Sequence, residues 1–307
     1  MSSIMTNTAA MTALKSLQAT TKNLEVTQGR ISTGYSVAEA ADNAAYWSIA
    51  TTMRSDNSAL STVQDALGLG AGKVDVAYTA MNSAIKVVDE IKSKLVAASE
   101  PGVDKSKIQS EIGELQNQLI SMSSSASFSG ENWLSVDSGS ASYSATKNIV
   151  SSFSRDSAGN VSVSTIAIDI TSTTLFDSNA AGTGILDTDF TTTGTGGVTV
   201  SVSTLDITAA NIDDQDLADM ISNVDTAFQS MTTSASNLGA SKSRIDMQND
   251  FVSNLMDAVD RGIGQLVDAD MSEESTKLQA LQVQQQLGVQ ALSIANSNAQ
   301  TILSLFK

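Results

Sequence analysis

LSTVQDALGLGAGKVDVAYTAMNSAIKVVDEIKSKLVAA, residues 60–98, decides the fold. One apolar position in this stretch repeats every seven residues, and a companion position three residues later carries mostly small side chains. A seam that recurs about every 3.5 residues keeps facing one partner only when helices supercoil, so the stretch predicts a long coiled-coil-like helix. The main position holds Leu60, Leu67, Val74, Met81, Val88 and Leu95, and the companion holds Val63, Gly70, Ala77, Ala84, Ile91 and Ala98.

This helix is expected to stop at Pro101-Gly102, because a Pro-Gly pair is a strong turn signal. A second helix should follow, with Asp104 as its N-cap. The short connection predicts that the two helices pack as an antiparallel pair. The apolar residues of the second helix are spaced alternately by four and three, at Ile108, Ile112, Leu115, Leu119 and Met122.

The heptad repeat returns in the C-terminal half of the chain. Its companion position is assigned to Ile221, Phe228, Ala235 and Met256, and polar Lys242 and Asn249 interrupt it. We interpret the interruptions as a partner surface that is partly polar. The main position holds Leu217, Val224, Met231, Leu238, Ile245, Val252 and Val259.

Residues 138 to about 210 differ in composition from both helical halves. They are rich in Ser, Thr, Gly and Asn, with short alternating runs that predict strands, at Val161, Val163 and Thr165 and at Val198, Val200 and Val202. The predicted fold class is therefore mainly α with a β-rich insert. Long antiparallel coiled-coil-like helices come from both chain halves, and the insert is expected at their tip.

Both ends of the chain are amphipathic but poor in apolar residues. Near the start, Leu17, Leu24 and Ile31 are seven apart, with polar Thr21 and Gln28 between them. Such helices are marginal alone, because their stability comes from burying one face against a partner. The corresponding stripe near the end, interrupted by Gln285 and Gly288, is Leu278, Leu281, Leu292, Ala295, Ala299, Ile302 and Phe306.

The composition excludes much chemistry. The chain has no Cys and no His, so thiol nucleophiles, imidazole bases and zinc sites of the usual kind are ruled out. We predict no catalytic residue, no cofactor and no metal site. A formal net charge of −16 disfavours nucleic acid and anionic membranes as partners. No apolar run of about 18 residues predicts a membrane span, and the N-terminus lacks the features of a Sec-type signal peptide.

Three sequence features could suggest a binding or catalytic site. Gly68–Lys73 is similar to a phosphate-binding loop but lacks the required Gly at 67 and Ser or Thr at 74, so close helix packing at Gly70 is favoured. The paired Glu273 and Glu274 are expected on a solvated helix face. An acidic cluster lacks EF-hand spacing and is read as a helix start, at Asp213, Asp214, Asp216 and Asp219.

Several motifs together resemble the bacterial flagellins. GRISTGYSVAEAADNAAYWSIA (29–50) is similar to their N-terminal signature, and IMTNTAAMTALKSL (4–17) to their start. SFSGENWL (127–134) resembles the motif that ends their outer helical pair. Their C-terminus is matched by SRIDMQNDF (243–251), VDADMSEES (267–275) and SIANSNAQTILSLF (293–306). Tyr46 and Trp47 stand where a small residue and Leu are usual, which resembles flagellins of soil-dwelling alphaproteobacteria.

The resemblance implies a domain organisation and a function. Residues 1–43 and 262–307 would form an inner helical domain, 44–140 and 209–261 an outer helical domain, and 141–208 an exposed variable domain. The chain would be a non-enzymatic subunit that polymerises into the extracellular flagellar filament, and the resemblance allows co-assembly with other flagellins. Its implied partners are an export chaperone of the flagellar type III pathway, the filament cap and the hook-associated junction proteins.

The resemblance also suggests which residues meet other subunits. Arg30 is read as an intersubunit contact in preference to a solvated side chain, and Asp42 belongs to the same signature. Leu17, Leu24, Ile31, Leu292, Ile302 and Phe306 would serve both intrachain pairing and subunit stacking. The alternatives are a hook-filament junction protein, a chemoreceptor-like signalling coiled coil, and a secreted enzyme or adhesin built on the insert.

Overall fold

The computed structural model describes residues 7–179 and 182–305, with side chains described as far as Ser297. It confirms the predicted fold class, since long helices flank a middle region of short strands. The helices are α1 (Thr8–Thr33), α2 (Ala44–Ala98), α3 (Lys105–Ser125), α4 (Asp214–Val267) and α5 (Met271–Leu305). The strands are β1 (Ser127–Phe128), β2 (Glu131–Asn132), β3 (Ser135–Val136), β4 (Thr146–Arg155), β5 (Val161–Asp169), β6 (Phe176–Asp177), β7 (Phe190–Thr191) and β8 (Thr199–Val200).

The described chain divides into two compact units. One contains the two ends of the chain, up to Ser58 and from Met256 onward, and the other contains Ala59–Leu255. In the first unit, Val37, Ala50, Ile263 and Val267 form a small apolar core. The second unit holds most of α2 and α4, all of α3, and every strand.

Helix α2 ends at Ala98, just before Pro101-Gly102, as the turn signal predicted. All twelve residues of its heptad seam, from Leu60 to Ala98, are buried. Asp104 caps α3 by accepting a hydrogen bond from the Ser106 amide, which confirms the predicted N-cap. Lys94 pairs with Glu111 at 2.6 Å, whereas Thr79 shares a groove with Met122, so α2 and α3 run antiparallel.

The first residues of the companion row of α4, Ile221 and Phe228, were assigned one residue too late, whereas Ala235 is buried as assigned. The buried residues that alternate with the main heptad position are Met220, Ala227 and Ser234, while Ile221 and Phe228 are half-buried. The prediction failed because steps of three and four residues both fit a helical stripe, and residues 220 and 221 are both apolar. The main row is buried at Leu217, Val224, Met231, Leu238, Ile245 and Val252.

Lys242 follows the buried Ala235 by seven residues and is half-buried beside the main row. Its ammonium group pairs with the Asp75 carboxylate on α2, and both side chains remain partly exposed. Lys92 of α2 makes a similar pair with Asp225 of α4. These ion pairs lie beside the seam and join the same two helices that the seam joins.

The hairpin of β4 and β5 lies against the sides of the helices and not at their tip. Ile149 of β4 rests on Gly70 of α2, where an added Cβ would come within 2.3 Å of its side chain. Gln248 of α4 donates to the Ser151 carbonyl at 3.0 Å. Gln248 is about 50 Å from the start of α4, because an α-helix rises about 1.5 Å per residue. Gly70 therefore serves hairpin packing, which corrects the expected close helix packing.

The end of the insert, residues 202–207, lies along α3. Gln116 is buried and donates to the carbonyls of Val202 and Leu205, at 3.0 and 3.1 Å. Gln109, two turns earlier on the same face, donates to Leu205 and accepts from the Ile207 amide at 2.9 Å. These side-chain hydrogen bonds hold the backbone of residues 202–207, which form no strand.

The acidic cluster marks the start of α4, as predicted. Asp213 and Asp216 bond each other's backbone amides, an arrangement that satisfies two free N–H groups of the helix start. The loop before them also donates its amides and hydroxyls to Asp213, Asp216 and Asp219. For Asp213, the hydrogen bonds from Thr195 and Asp216 hold the pKa well below its ordinary value.

Candidate assembly surfaces

Helices α1 and α5 form an antiparallel pair in the terminal unit. The Asn7 side chain, which caps α1, donates to the Ala295 carbonyl of α5 at 3.0 Å. Farther along, Leu17 packs on Gly288, where an added Cβ would lie 3.2 Å from its methyl carbon. The other end is joined by Arg30 of α1 and Glu274 of α5. The glycine that interrupts the α5 stripe is thus the place where a large α1 side chain fits.

The face of α1 in this pair alternates apolar and polar residues. Leu24 is buried between Thr20 and Thr27, which are buried too. Thr20 satisfies its hydroxyl by donating to the Ser16 carbonyl one turn earlier at 3.0 Å. The polar companions predicted at Thr21 and Gln28 are wrong by one residue, since Thr21 is half-buried and Gln28 is exposed. The pair consequently buries little apolar surface along α1.

Glu274 is buried, which corrects the expectation of a solvated face for Glu273 and Glu274. Its Oε1 accepts a hydrogen bond from Arg30 at 2.9 Å, and Lys277 lies 3.8 Å away. Burial raises the pKa of Glu274, but the Arg30 hydrogen bond and the two cations outweigh it and hold the pKa below its ordinary value. Glu273 stays exposed.

The residues predicted to meet other subunits occupy several positions. Leu17, Leu24, Ile31 and Leu292 lie on the faces that α1 and α5 turn toward each other, buried or half-buried. Arg30 is engaged within the chain by Glu274. The Asp42 carboxylate accepts hydrogen bonds from the backbone amides of Ala38 and Glu39 and so closes the loop after α1. Ile302 and Phe306 lie outside the residues whose side chains are described.

A row on the outward face of α5 was missed by the sequence analysis. Val283, Leu287 and Ile294 are 55%, 57% and 61% exposed. At about 100° per residue, they fall within about 40° of one another and about 150° from the face that meets α1. The spacing of four and seven residues is visible in the sequence. The stripe through Leu281 and Leu292 on the same helix was the one assigned, so the second row was not recognised. We call these three residues the α5 outward row.

A second exposed row runs along α4 in the other unit. Met247, Phe251 and Leu255 are four residues apart and exposed, about 120° from the buried heptad face of the helix. We call them the α4 outward row. In the terminal unit, the first turns of α2 also carry exposed large side chains, at Tyr46, Trp47 and Ile49. Large apolar side chains in such rows are typical of surfaces that another protein covers.

Comparison with known proteins decides what kind of protein carries these surfaces. Residues 4–138 match the family model for the bacterial flagellin N-terminal helical region, and residues 221–306 match the model for the bacterial flagellin C-terminal helical region. The chain belongs to the bacterial flagellin family. Residues 139–220 of this flagellin lie between the two matched regions, and they include the β4–β5 hairpin.

Curated relatives extend the match over the whole chain. Flagellin C of Rhizobium meliloti (strain 1021) is 55% identical over 322 residues, and the flagellin of Brucella melitensis biotype 1 is 47% identical over 308 residues. Flagellin A of R. meliloti (strain 1021) is 44% identical over 398 residues. Each alignment covers 100% of both chains. These relatives identify the chain as a rhizobial-type flagellin.

A crystal structure of Bacillus cereus flagellin is also similar, with 17% sequence identity and a TM-score of 0.39. The similarity covers 62% of this chain and 88% of that one. The family assignment stands on the two family models and the full-length relatives.

The chain is therefore a structural subunit of the bacterial flagellar filament and not an enzyme. Flagellins polymerise with copies of themselves, and the filament is extracellular. Within residues 7–179 and 182–305, no helix is long and apolar enough to cross a membrane. The same part of the chain contains no group of three or more acidic side chains arranged to hold a metal ion.

Proposed function

We propose that this flagellin adds to its filament by burying the α5 outward row against a second copy of the chain. One observation carries the proposal: α5 has apolar residues on two opposite faces, and α1 covers only one of them. Val283, Leu287 and Ile294 remain more than half exposed. The α4 outward row is proposed as a second surface of the same kind, in the other compact unit.

The terminal helices are proposed to fold fully only during assembly. Support comes from their sparse core, since α1 buries only Thr20, Leu24 and Thr27 within the described residues. Helices that bury so little apolar surface are marginal without a partner. A neighbouring subunit would supply the missing surface, and the cost of ordering both helices would make addition depend on an existing filament end.

We also propose the contact residues and domain bounds that the family resemblance implies. The residues proposed to act at or next to the subunit interface are Leu17, Leu24, Arg30, Ile31, Asp42, Leu292, Ile302 and Phe306. Residues 1–43 and 262–307 are proposed as the inner domain, 44–140 and 209–261 as the outer domain, and 141–208 as the variable surface domain. The gap between the two family-model matches, residues 139–220, supports a variable middle.

Export and capping partners are also proposals that follow from family membership. The subunit would leave the cell through the flagellar type III pathway with an export chaperone. It would then add beneath the filament cap, on a base of hook-associated junction proteins. Co-assembly with other flagellins is supported by the several R. meliloti flagellins that this chain resembles.

The test is seeded polymerisation of Leu287→Glu beside Gln282→Glu. Both changes add one negative charge to α5, but Gln282 is exposed and belongs to neither apolar row. We expect Leu287→Glu to extend filament seeds about tenfold more slowly, because a buried charge without a partner is costly. Gln282→Glu should extend them like the unaltered chain. Equal extension by the two variants would refute the proposal, provided circular dichroism shows equal helix content.

A further inference from the structure

The oxidation chemistry of this chain is concentrated in its methionines. It has eleven Met and no Cys, so the thioether is the sulfur group that peroxides can reach. Among the described methionines, Met247 is 63% exposed, Met11 60% and Met271 44%. Met81, Met220 and Met231 are 0% exposed because they lie in the heptad seams. The described methionine side chains therefore differ strongly in their accessibility to an oxidant in solution.

Met247 differs from the other exposed methionines in where it lies. It belongs to the α4 outward row, one helical turn from Phe251 and two from Leu255. Asp246 and Asp250 are exposed beside that row. A polar atom added at Met247 would therefore shorten the apolar row at one end, because its neighbours Asp246 and Asp250 are already charged. Met271, by contrast, begins α5 and belongs to neither outward row.

We propose that Met247 is a peroxide-sensitive modification site whose oxidation weakens the addition of this subunit to a filament. The thioether sulfur attacks one oxygen of hydrogen peroxide, an S–O bond forms, the O–O bond breaks, and water is released. Sulfur loses two electrons and the peroxide gains them, so no further reactant is required. The product, methionine sulfoxide, is polar and replaces a flexible apolar side chain.

The effect on assembly rests on the proposed function, because it requires that a second copy covers the α4 outward row. A sulfoxide there would have to lose its hydration on contact with the neighbouring subunit. The same modification at Met271 would leave the row intact. Oxidation would thus act on subunits before they are added, since a covered row shields Met247 from the oxidant.

The experiment uses purified full-length chain, all in a Met11→Leu background so that the second highly exposed methionine contributes nothing. Three proteins are compared: this background alone, the background with Met247→Leu, and the background with Met271→Leu. Each is treated with hydrogen peroxide, and peptide mass mapping measures the oxidation of every methionine. Extension of filament seeds is then measured for each protein relative to its own untreated sample.

We expect Met247 to oxidise at least about tenfold faster than Met81, Met220 or Met231, because peroxide must reach the sulfur. Treatment should slow seed extension about tenfold in the background and in the Met271→Leu protein, and much less in the Met247→Leu protein. Equal slowing in all three proteins, or similar oxidation rates at exposed and buried methionines, would overturn the inference. A Phe251→Glu protein that extends seeds like the unaltered chain would instead refute the proposed burial of the α4 outward row, because Phe251 lies in the middle of that row.

Discussion

Gly70 lies beneath the β4–β5 hairpin because no larger residue fits between α2 and Ile149. An added Cβ would come within 2.3 Å of the Ile149 γ-methyl and 2.8 Å of its δ-methyl. Ile149 is itself buried and paired with Ile166 across the hairpin, so it cannot move away without disturbing a strand pair. One missing side chain thereby fixes where the insert attaches to the helices.

We expect Gly70→Val to lower the free energy of unfolding by about 1–3 kcal/mol, the usual cost of overpacking a core. Urea unfolding measures the change, and hydrogen exchange should rise across residues 146–169. Gly68→Val is the matched control, since a Cβ at Gly68 meets no atom within 4 Å. A Gly70→Val protein as stable as the Gly68→Val protein would show that the hairpin does not depend on this contact.

Individual residues were predictable where their role is local. Asp104 was recognised as a cap because the capping preference acts within three residues. Glu274 was missed because its partner, Arg30, is 244 positions away and no local pattern indicates the pair. The role of Gly70 was also missed, since the sequence does not show which segment returns to cover it.

At the scale of elements, the α1–α5 pair depends on polar and ionic contacts as much as on apolar burial. Arg30 and Glu274 join one end, and the Asn7 side chain joins the other. Because the folded pKa of Glu274 lies below its unfolded value of about 4.3, the ion pair stabilises the helices fully above that pH. The stabilisation is lost as pH falls through the folded pKa.

Glu274→Gln is expected to destabilise the terminal helix pair by about 1–2 kcal/mol at pH 7, less than a fully buried pair would, because Arg30 stays partly exposed. Hydrogen exchange of α1 and α5 in assembled filaments measures the loss. As pH falls through the lowered folded pKa of Glu274, the variant and the unaltered chain should converge. Glu273→Gln, at the exposed neighbour, should change little at either pH. No difference between the two variants at pH 7 would contradict the assigned role of the pair.

The sequence predicted the helices well, but it did not predict which residues of α1 and α4 lie on the buried face. The α2 seam was readable because a heptad pattern records both the helix and its buried face. On α1 and α4 the companion row was misplaced by one residue, at Thr21 for Thr20 and at Ile221 for Met220. Where two adjacent residues are of the same type, a periodic pattern cannot show which of them is buried, because spacings of three and of four residues both fit a helix.

At the scale of the whole molecule, this flagellin exposes apolar rows that its own described chain does not cover. The family assignment explains why, since a filament subunit meets copies of itself. The position of the hairpin beside the helices was beyond sequence reasoning, because it depends on packing between segments far apart in the chain. The identity of the family, by contrast, was carried by motifs near both ends and was confirmed by full-length relatives.

The terminal helices are proposed to acquire their stability from neighbouring subunits. Hydrogen exchange of residues 8–33 and 271–305, measured in purified monomer and again after extension of filament seeds, tests this dependence. We expect fast exchange in the monomer and strong protection in the filament. Helices that are equally protected in both states would contradict this dependence, because a pair that is already stable alone needs no second copy to complete it.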